Sequence, residues 1–408
     1  MTPFWTALPF VGLLLSIAIF PLAIGHFWES NRNKILVVIL LSVPVLYWLM
    51  KNEPPAIFHT LEEYFSFICL LGSLFVISGG IAISGDLQGT PRVNAIFLIL
   101  GAVLANFIGT TGASMVLIRP FLKTNSERKV TQHLPVFFIF MVSNCGGLLT
   151  PLGDPPLFLG YLRGVPFFWT LKLFPIWAIM ITGLLMIFLV WDSRAYRHET
   201  KRDLKKDKSQ IQPLRMQGKM NFLFLAGVLG SVFLPTPFRE FLMVAMALLS
   251  LGLGSKKARH FNQFSWGPIQ EVAILFMGIF ITMVPALLLL KERASAMGVA
   301  KPWHFFWLAG SLSSFLDNAP TYLTFLSLGQ GLHLPADIVG VPIKILQAIS
   351  AGAVLMGANS YIGNGPNFMV KAIADHAGFK TPSFFGYMGY ALVVLFPLYG
   401  VVHFIFFR

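Results

Sequence analysis

The 408-residue sequence predicts an all-α polytopic membrane protein of about ten transmembrane helices and two opposed re-entrant hairpins. These form two inverted-topology repeats with broken helices. Three observations predict it. Hydrophobic residues make up 56% of the chain and charged residues 12%, with a mean hydropathy of +0.72, values foreign to a soluble domain of this length. Apolar stretches long enough to cross a bilayer, about 17 to 25 residues, recur from end to end. Two apolar segments are also interrupted by Asn-, Gly- and Pro-rich breaks, SNCGGLLTPLGDPP at 143–156 and ANSYIGNGPN at 358–367. A helix within a bilayer tolerates such a break only where protein or a polar cavity satisfies the freed N–H and C=O groups. Paired breaks in two halves of a membrane chain point to a transporter's binding site.

The uninterrupted spans fall at 5–27, 34–50, 62–84, 166–191, 220–234, 239–254, 268–290 and 382–405. The intervals 93–122, 133–163, 303–328 and 341–371 are equally apolar but broken. The first span lacks a basic n-region and is longer than a signal-peptide core, so it is expected to be retained. The organisation that follows is N-terminal scaffold helices at 1–61, a first repeat at 62–191 and a basic cytoplasmic linker at 192–219. Connecting scaffold helices occupy 220–267 and a second repeat 268–408.

Net charge is +13, yet its placement argues against nucleic acid as a partner. The densest cluster, WDSRAYRHETKRDLKKDKSQIQPLRMQGK at 191–219, mixes both signs, lacks aromatic interleaving and sits between apolar spans. It reads as a solvated cytoplasmic linker under the positive-inside rule, beside a lipid bilayer whose anionic headgroups it could meet. Cys69 and Cys145 are the only cysteines; both lie in apolar surroundings and suggest neither a disulfide framework nor a metal cluster. No H-E-x-x-H or G-x-S-x-G motif is present, so the chain is not expected to be an enzyme, and no cofactor is called for.

The linker separates two halves that resemble each other. ANFIGTTGASMVLIRPFL at 105–122 precedes the first break, and SSFLDNAPTYLTFLSLG at 313–329 precedes the second. Matching Phe107 with Phe315 sets Gly109, Thr110 and Gly112 against Asp317, Asn318 and Pro320. Matching Gly153 with Gly363 sets Asp154 and Pro156 against Asn364 and Pro366. Charge then tests topology. A single crossing by 93–122 would put the basic run from Arg119 to Lys129 outside, whereas a hairpin with its tip at Gly109 to Gly112 returns it to the cytoplasm. On that arrangement 28–34, 86–92, 119–130, 192–219, 255–260 and 371–380 are cytoplasmic and hold most of the Lys and Arg. The second hairpin, at 303–328, then enters from the opposite face.

Four stretches carry a family resemblance: TTGASMVLIRP at 110–120, NCGGLLTPLGDPP at 144–156, LDNAPTYLTFL at 316–326 and ANSYIGNGPN at 358–367. A hairpin tip of small polar residues followed by an unwound helix with GG, T and G-x-P-P resembles the ion transporter superfamily. Across roughly 62–405 the chain is most similar to bacterial NhaD-type sodium/proton antiporters and CitMHS-like citrate transporters. The resemblance implies a multi-pass protein of the bacterial inner membrane, working by alternating access, and a homodimer. Divalent-anion symporters of the superfamily tend to carry Ser-Asn-Thr at both tips. This chain has Gly-Thr-Thr and Asp-Asn-Ala, so their dicarboxylate site does not transfer directly.

The residues at the tips and breaks offer hydroxyl, amide and carboxylate oxygens of the hard kind a desolvated Na⁺ needs, helped by half-helix ends. The candidate ion- or substrate-binding residues are Thr110, Thr111, Asn144 and Asp154 in the first half. Asp317, Asn318, Asn359 and Asn364 are their counterparts in the second. Gly146, Gly147, Gly153, Pro155, Pro156, Gly363, Gly365 and Pro366 mark the breaks themselves. Asp154 and Asp317 are the candidate proton carriers, because ionisable groups at membrane depth are costly and rarely idle; a helix N-cap is the alternative role for each. One carboxylate per half would let Na⁺ and H⁺ compete for the same oxygens. The expected function is therefore secondary active transport, as sodium/proton antiport. The alternative is cation-coupled uptake of citrate or another small organic anion, including metal-citrate, for which Arg119, Arg163, Lys344 and Lys371 are the nearest basic groups. All four stand toward the ends of the broken segments.

Overall fold

The computed structural model describes residues 2–335 and 337–408. Its principal helices, leaving aside the short turns Gly25–Trp28 and Lys256–Phe261, are α1 (Leu8–Ala23), α2 (Asn31–Asn52), α3 (Pro54–Gly79), α4 (Pro91–Lys123), α5 (His133–Met141), α6 (Pro155–Leu162), α7 (Phe174–Arg197) and α8 (Lys201–Ser209). There follow α9 (Asn221–Ser231), α10 (Phe238–Leu253), α11 (Gly267–Arg293), α12 (Pro302–Ser313), α13 (Asn318–Gly331), α14 (Ile343–Met356), α15 (Gly365–His376) and α16 (Phe384–Val402). Among the described residues seven helical stretches are long and apolar enough to cross a membrane, and the protein is an all-α integral membrane protein. Proline in the first turn starts α3, α4, α6, α11, α12 and α15, where its missing N–H costs nothing and its fixed φ already suits the helix.

α4 is not one rod. A straight helix of its 33 residues would be roughly 50 Å long, yet Asn94 near its start and Asn125 just past its end exchange amide hydrogen bonds of 2.9 and 2.7 Å. The chain reverses at Gly109, whose φ of +76° suits glycine, the residue without a Cβ. α12 and α13 form the second hairpin, Phe305 meeting Phe325 with ring centroids 6.3 Å apart.

The two hairpins enter from opposite faces. The open end of α4 lies with Gly89, Asp192 and Glu199, among the basic segments. The open end of α12 and α13 lies at the C-terminal end of α11, where Gly331 is packed against Lys291 and Ala294. α11 begins at the basic face, since Lys34 pairs with Glu271 at 2.7 Å there, so it delivers the second hairpin to the far face. α1, α2, α9 and α10 gather about α3 and α11 as a scaffold; the hairpins and broken helices form most of the rest.

Three segments depart from expectation. The span placed at 62–84 is a helix shifted to Pro54–Gly79, followed by a short strand β1 (Ala82–Asp86). The alternation of AISGD behind Gly79 and Gly80 was hidden by the apolar run before it. The span placed at 220–234 is helical only over the 11 residues of α9, ending before the LPTP sequence. The linker at 192–219 is not simply solvated. It continues α7 to Arg197, forms α8, and supplies β2 (Gln212–Gln217), which pairs antiparallel with β1. Its mixed charges do not all face water, because Asp192, Glu199 and Asp207 are buried against the first hairpin's open end.

Candidate functional site

The breaks form where glycine lets two stretches of backbone cross. A Cβ on Gly153 would collide with the Gly147 carbonyl, and one on Gly363 would lie 2.6 Å from the Gly357 carbonyl oxygen. The same crossing thus occurs in both repeats. Thr150 and Ser360 repeat the symmetry: each hydroxyl donates at 2.5 Å to a hairpin carbonyl, that of Asn106 and of Ser314 respectively.

Helix carbonyls freed by the breaks are taken by side-chain donors, as low-dielectric surroundings demand. Trp177 donates to Gly146 O at 3.1 Å and Thr170 to Leu149 O at 2.9 Å. In the second repeat Asn367 donates to Gly357 O and Ser360 O, both at 2.9 Å, and Tyr387 and Tyr399 donate to Ala358 O and Leu355 O at 2.7 and 2.8 Å. The breaks are therefore built structures and not frayed helix.

At their centre lies Asp154, 2% exposed. It occupies the N-cap position of α6, but its side chain does not cap the helix. Instead Oδ1 accepts from Thr110 Oγ1 at 2.9 Å and from Asn364 Nδ2 at 3.0 Å, and Oδ2 accepts from Asn318 Nδ2 at 2.5 Å. Both hairpin tips and both breaks thus meet on one carboxylate. Asn364 also donates to Ser143 O and Asn144 Oδ1, at 3.2 and 3.3 Å. Asn318 is fully buried, and its Oδ1 has no hydrogen-bond partner. Such an orphaned acceptor costs stability unless something else occupies its lone pairs.

What Asp154 lacks is a cation. Asp192 pairs with Arg128 at 2.6 Å, Glu63 with Arg163 at 2.6 Å and Asp86 with Lys123 at 3.4 Å, while the buried Asp207, at the basic face, accepts from the Gly89 N–H. Asp154 has only neutral donors among the described residues. A buried charge without a counter-ion is a functional feature by default within a membrane.

The model of the CitMHS_2 family, described as "Putative citrate transport", matches residues 1–407. The chain belongs to that family. No curated protein matches its sequence. As a member of the citrate-transport family it is a membrane transporter.

The remaining candidates of this citrate-transport family member fall into two groups. Asn144 lies beside the central carboxylate; it donates to Ile139 O at 2.9 Å and to Asn367 Oδ1 at 2.7 Å while accepting from Asn364. Thr111 is half-buried on the first hairpin, one residue past Thr110. Asp317 and Asn359 are engaged elsewhere. Asp317 is the N-cap of α13, accepting from Ala319 N at 3.0 Å. Asn359 donates to Ser314 Oγ at 2.9 Å and accepts from Tyr399 at 3.0 Å, bracing the second break against α16.

Sequence reasoning missed Asn367, which links the two breaks through Asn144, and Asn106, whose Oδ1 accepts from Leu149 N at 2.9 Å. Both were visible as amides inside apolar motifs. Only their positions facing a break give them a role, and that needs the fold.

Proposed function

We propose that the protein is a sodium/proton antiporter that works by alternating access, with Asp154 holding either the proton or the sodium ion. The observation that carries this reading is the buried Asp154 carboxylate, held by Thr110, Asn318 and Asn364 with no basic partner among the described residues. Desolvation penalises a bare carboxylate, and a bound proton or a bound cation removes the penalty equally well. Since one group serves both, the two ions exclude each other.

Sodium suits the donors present. The set is one carboxylate, a hydroxyl and two amides, all hard oxygen ligands once an amide oxygen turns toward the ion. Asn318 Oδ1, already unpartnered, is the nearest such oxygen. In the cycle, Na⁺ displaces the proton from Asp154, the hairpins and broken helices shift against the scaffold of α1–α3 and α9–α11, and a returning proton releases the ion at the other face.

A second reading, cation-coupled citrate uptake, is favoured by the family's description. The same carboxylate would then hold the coupling ion. A tricarboxylate needs cationic donors, however. Arg163 is paired with Glu63 and Lys371 with Asp375 at 2.6 Å, Lys344 is exposed, and Arg119 meets only the neutral Gln263 amide at 3.4 Å with its Nη1 unpartnered; none of the four contacts Asp154. Purified protein in liposomes carrying a pH gradient separates the two. Dissipation on adding Na⁺ or Li⁺ without organic anion is the expected result, and dissipation or labelled uptake that strictly requires citrate sinks the antiport reading.

A further inference from the structure

α6, the half-helix that begins at Asp154, ends at Arg163, and Arg163 reaches out of its own repeat. Its Nη2 donates to Glu63 Oε2 at 2.7 Å and its Nε lies 2.6 Å from Glu63 Oε1, a two-point contact with a side chain 5% exposed near the start of α3. His59, one turn earlier on α3, stands 3.3 Å from the same Oε1. Two residues before Arg163, the Tyr161 hydroxyl donates at 2.6 Å to Val232 O, just past the end of α9. The far end of α6 is thus fastened to two scaffold helices, on the face opposite the basic segments.

Both half-helices lie on the other repeat's hairpin and broken helix, α6 on α13 and α14 and its counterpart α15 on α4 and α5, but α6 also packs on the scaffold helix α3. The charged pair of α15, Lys371 with Asp375, is closed within the helix itself, four residues apart. Inverted repeats alternate by exchanging conformations. Among the described residues an ion pair and a tyrosine hydrogen bond tie one half-helix to the scaffold and no such polar tie holds the other, an asymmetry that a single end-state of such a cycle must have.

We infer that the Glu63–Arg163 pair is the far-face gate of the transporter, closed in this structure, which must part each time the Asp154 site opens toward that face. It rests on the alternating-access reading but not on which cargo is carried. Glu63 is buried while Arg163 is partly exposed, so loss of Arg163 strands a buried carboxylate and loss of the Glu63 charge releases Arg163 to solvent; either change undoes the closure. Charge also explains why the two positions act together: a neutral residue at either one leaves, among the described residues, the Tyr161 hydrogen bond and apolar packing to hold α6 to the scaffold.

The test reads accessibility and not transport. Ile362, half-buried in the second break, is replaced by cysteine in a chain with Cys69 and Cys145 replaced by serine. The protein is reconstituted, and labelling by a membrane-impermeant maleimide is measured from each face. Glu63→Gln is expected to raise the rate from the far face about tenfold or more and to lower the rate from the basic face, as a shift between two states requires. The charge swap Glu63→Arg with Arg163→Glu is expected to restore both rates. Unchanged labelling in Glu63→Gln, or a rise from both faces together, overturns the gate. If Glu63→Gln does not give a monodisperse protein, Arg163→Lys keeps the charge and loses the fork; it is expected to give a smaller rise from the far face, and no rise there overturns the gate equally. If ion flux proves to need citrate while labelling shifts as expected, the antiport reading fails and the gate stands.

Discussion

Asn364 donates to Asp154 across 3.0 Å, and the two occupy equivalent positions in the two repeats, each just before the proline-marked start of a half-helix. Their neighbours obey the same symmetry, since Thr110 and Asn318 both donate to the same carboxylate. A duplicated frame has thus produced a site with one negative charge and neutral ligands around it. Asp154→Asn keeps the size of the side chain and removes the charge. Cation-dependent proton flux in liposomes is expected to fall roughly a hundredfold or more, because nothing then neutralises a desolvated cation. The melting temperature in detergent is expected to hold or rise, because an unpaired buried charge has been deleted. Retained flux would remove Asp154 from the mechanism.

Thr110 tests the hydroxyl separately from the shape. Thr110→Val keeps the methyl that packs against Gly147 and deletes the donor to Asp154. A hydrogen bond to a charged group contributes about 1.5–3 kcal/mol, so apparent affinity for the transported cation is expected to change by roughly tenfold to a hundredfold. Thr110→Ser should stay near the parent, measured as the concentration of Na⁺ giving half-maximal dissipation of the pH gradient.

Hydropathy and the paired breaks made most of this architecture legible in the sequence. The hairpin of α4 followed from the placement of Arg119 and Lys129, before any contact was known. The convergence of Thr110, Asp154, Asn318 and Asn364 was foreshadowed by the alignment of the two halves. Legibility stopped where side-chain direction decided the matter. Asp154 and Asp317 look alike as acids before a proline-containing stretch, but only Asp317 turns back to cap its helix. The linker misled for a related reason: a run such as Arg194 to Lys208 reads as solvated whether or not acids such as Glu199 and Asp207 are drawn inward, here to Arg128 and to the Gly89 N–H.

Glycine at the crossings is a backbone requirement. Gly153→Ala puts a methyl into the Gly147 carbonyl, whereas a Cβ at Gly365 meets nothing within 4 Å. Gly153→Ala is expected to lower the melting temperature by several degrees and abolish flux, as overpacking a rigid contact costs about 1–3 kcal/mol. Gly365→Ala is expected to retain both. A tolerated Gly153→Ala would mean that the crossing relaxes, and the site with it.

Arg128 is the most heavily committed charge at the basic face. It donates to Asp192 at 2.6 Å and Gly89 O at 3.2 Å and lies 3.8 Å from Glu199, while His133 and Asn94 also meet Asp192 at 2.9 and 3.0 Å. These contacts join the loop before α4, the end of α4, α5 and α7, so the first hairpin's open end is locked to its own repeat. Asp192→Asn leaves Glu199, 3.8 Å away, as the remaining carboxylate beside Arg128 and is expected to destabilise the protein by about 3–5 kcal/mol, the usual cost of removing one partner of a buried pair. Replacing both partners with apolar residues, Arg128→Met with Asp192→Leu, removes the stranded charge, and thermal unfolding should then recover much of the loss. A double variant less stable than Asp192→Asn would instead assign the cost to Asn94 and His133, whose polar atoms it leaves without Asp192.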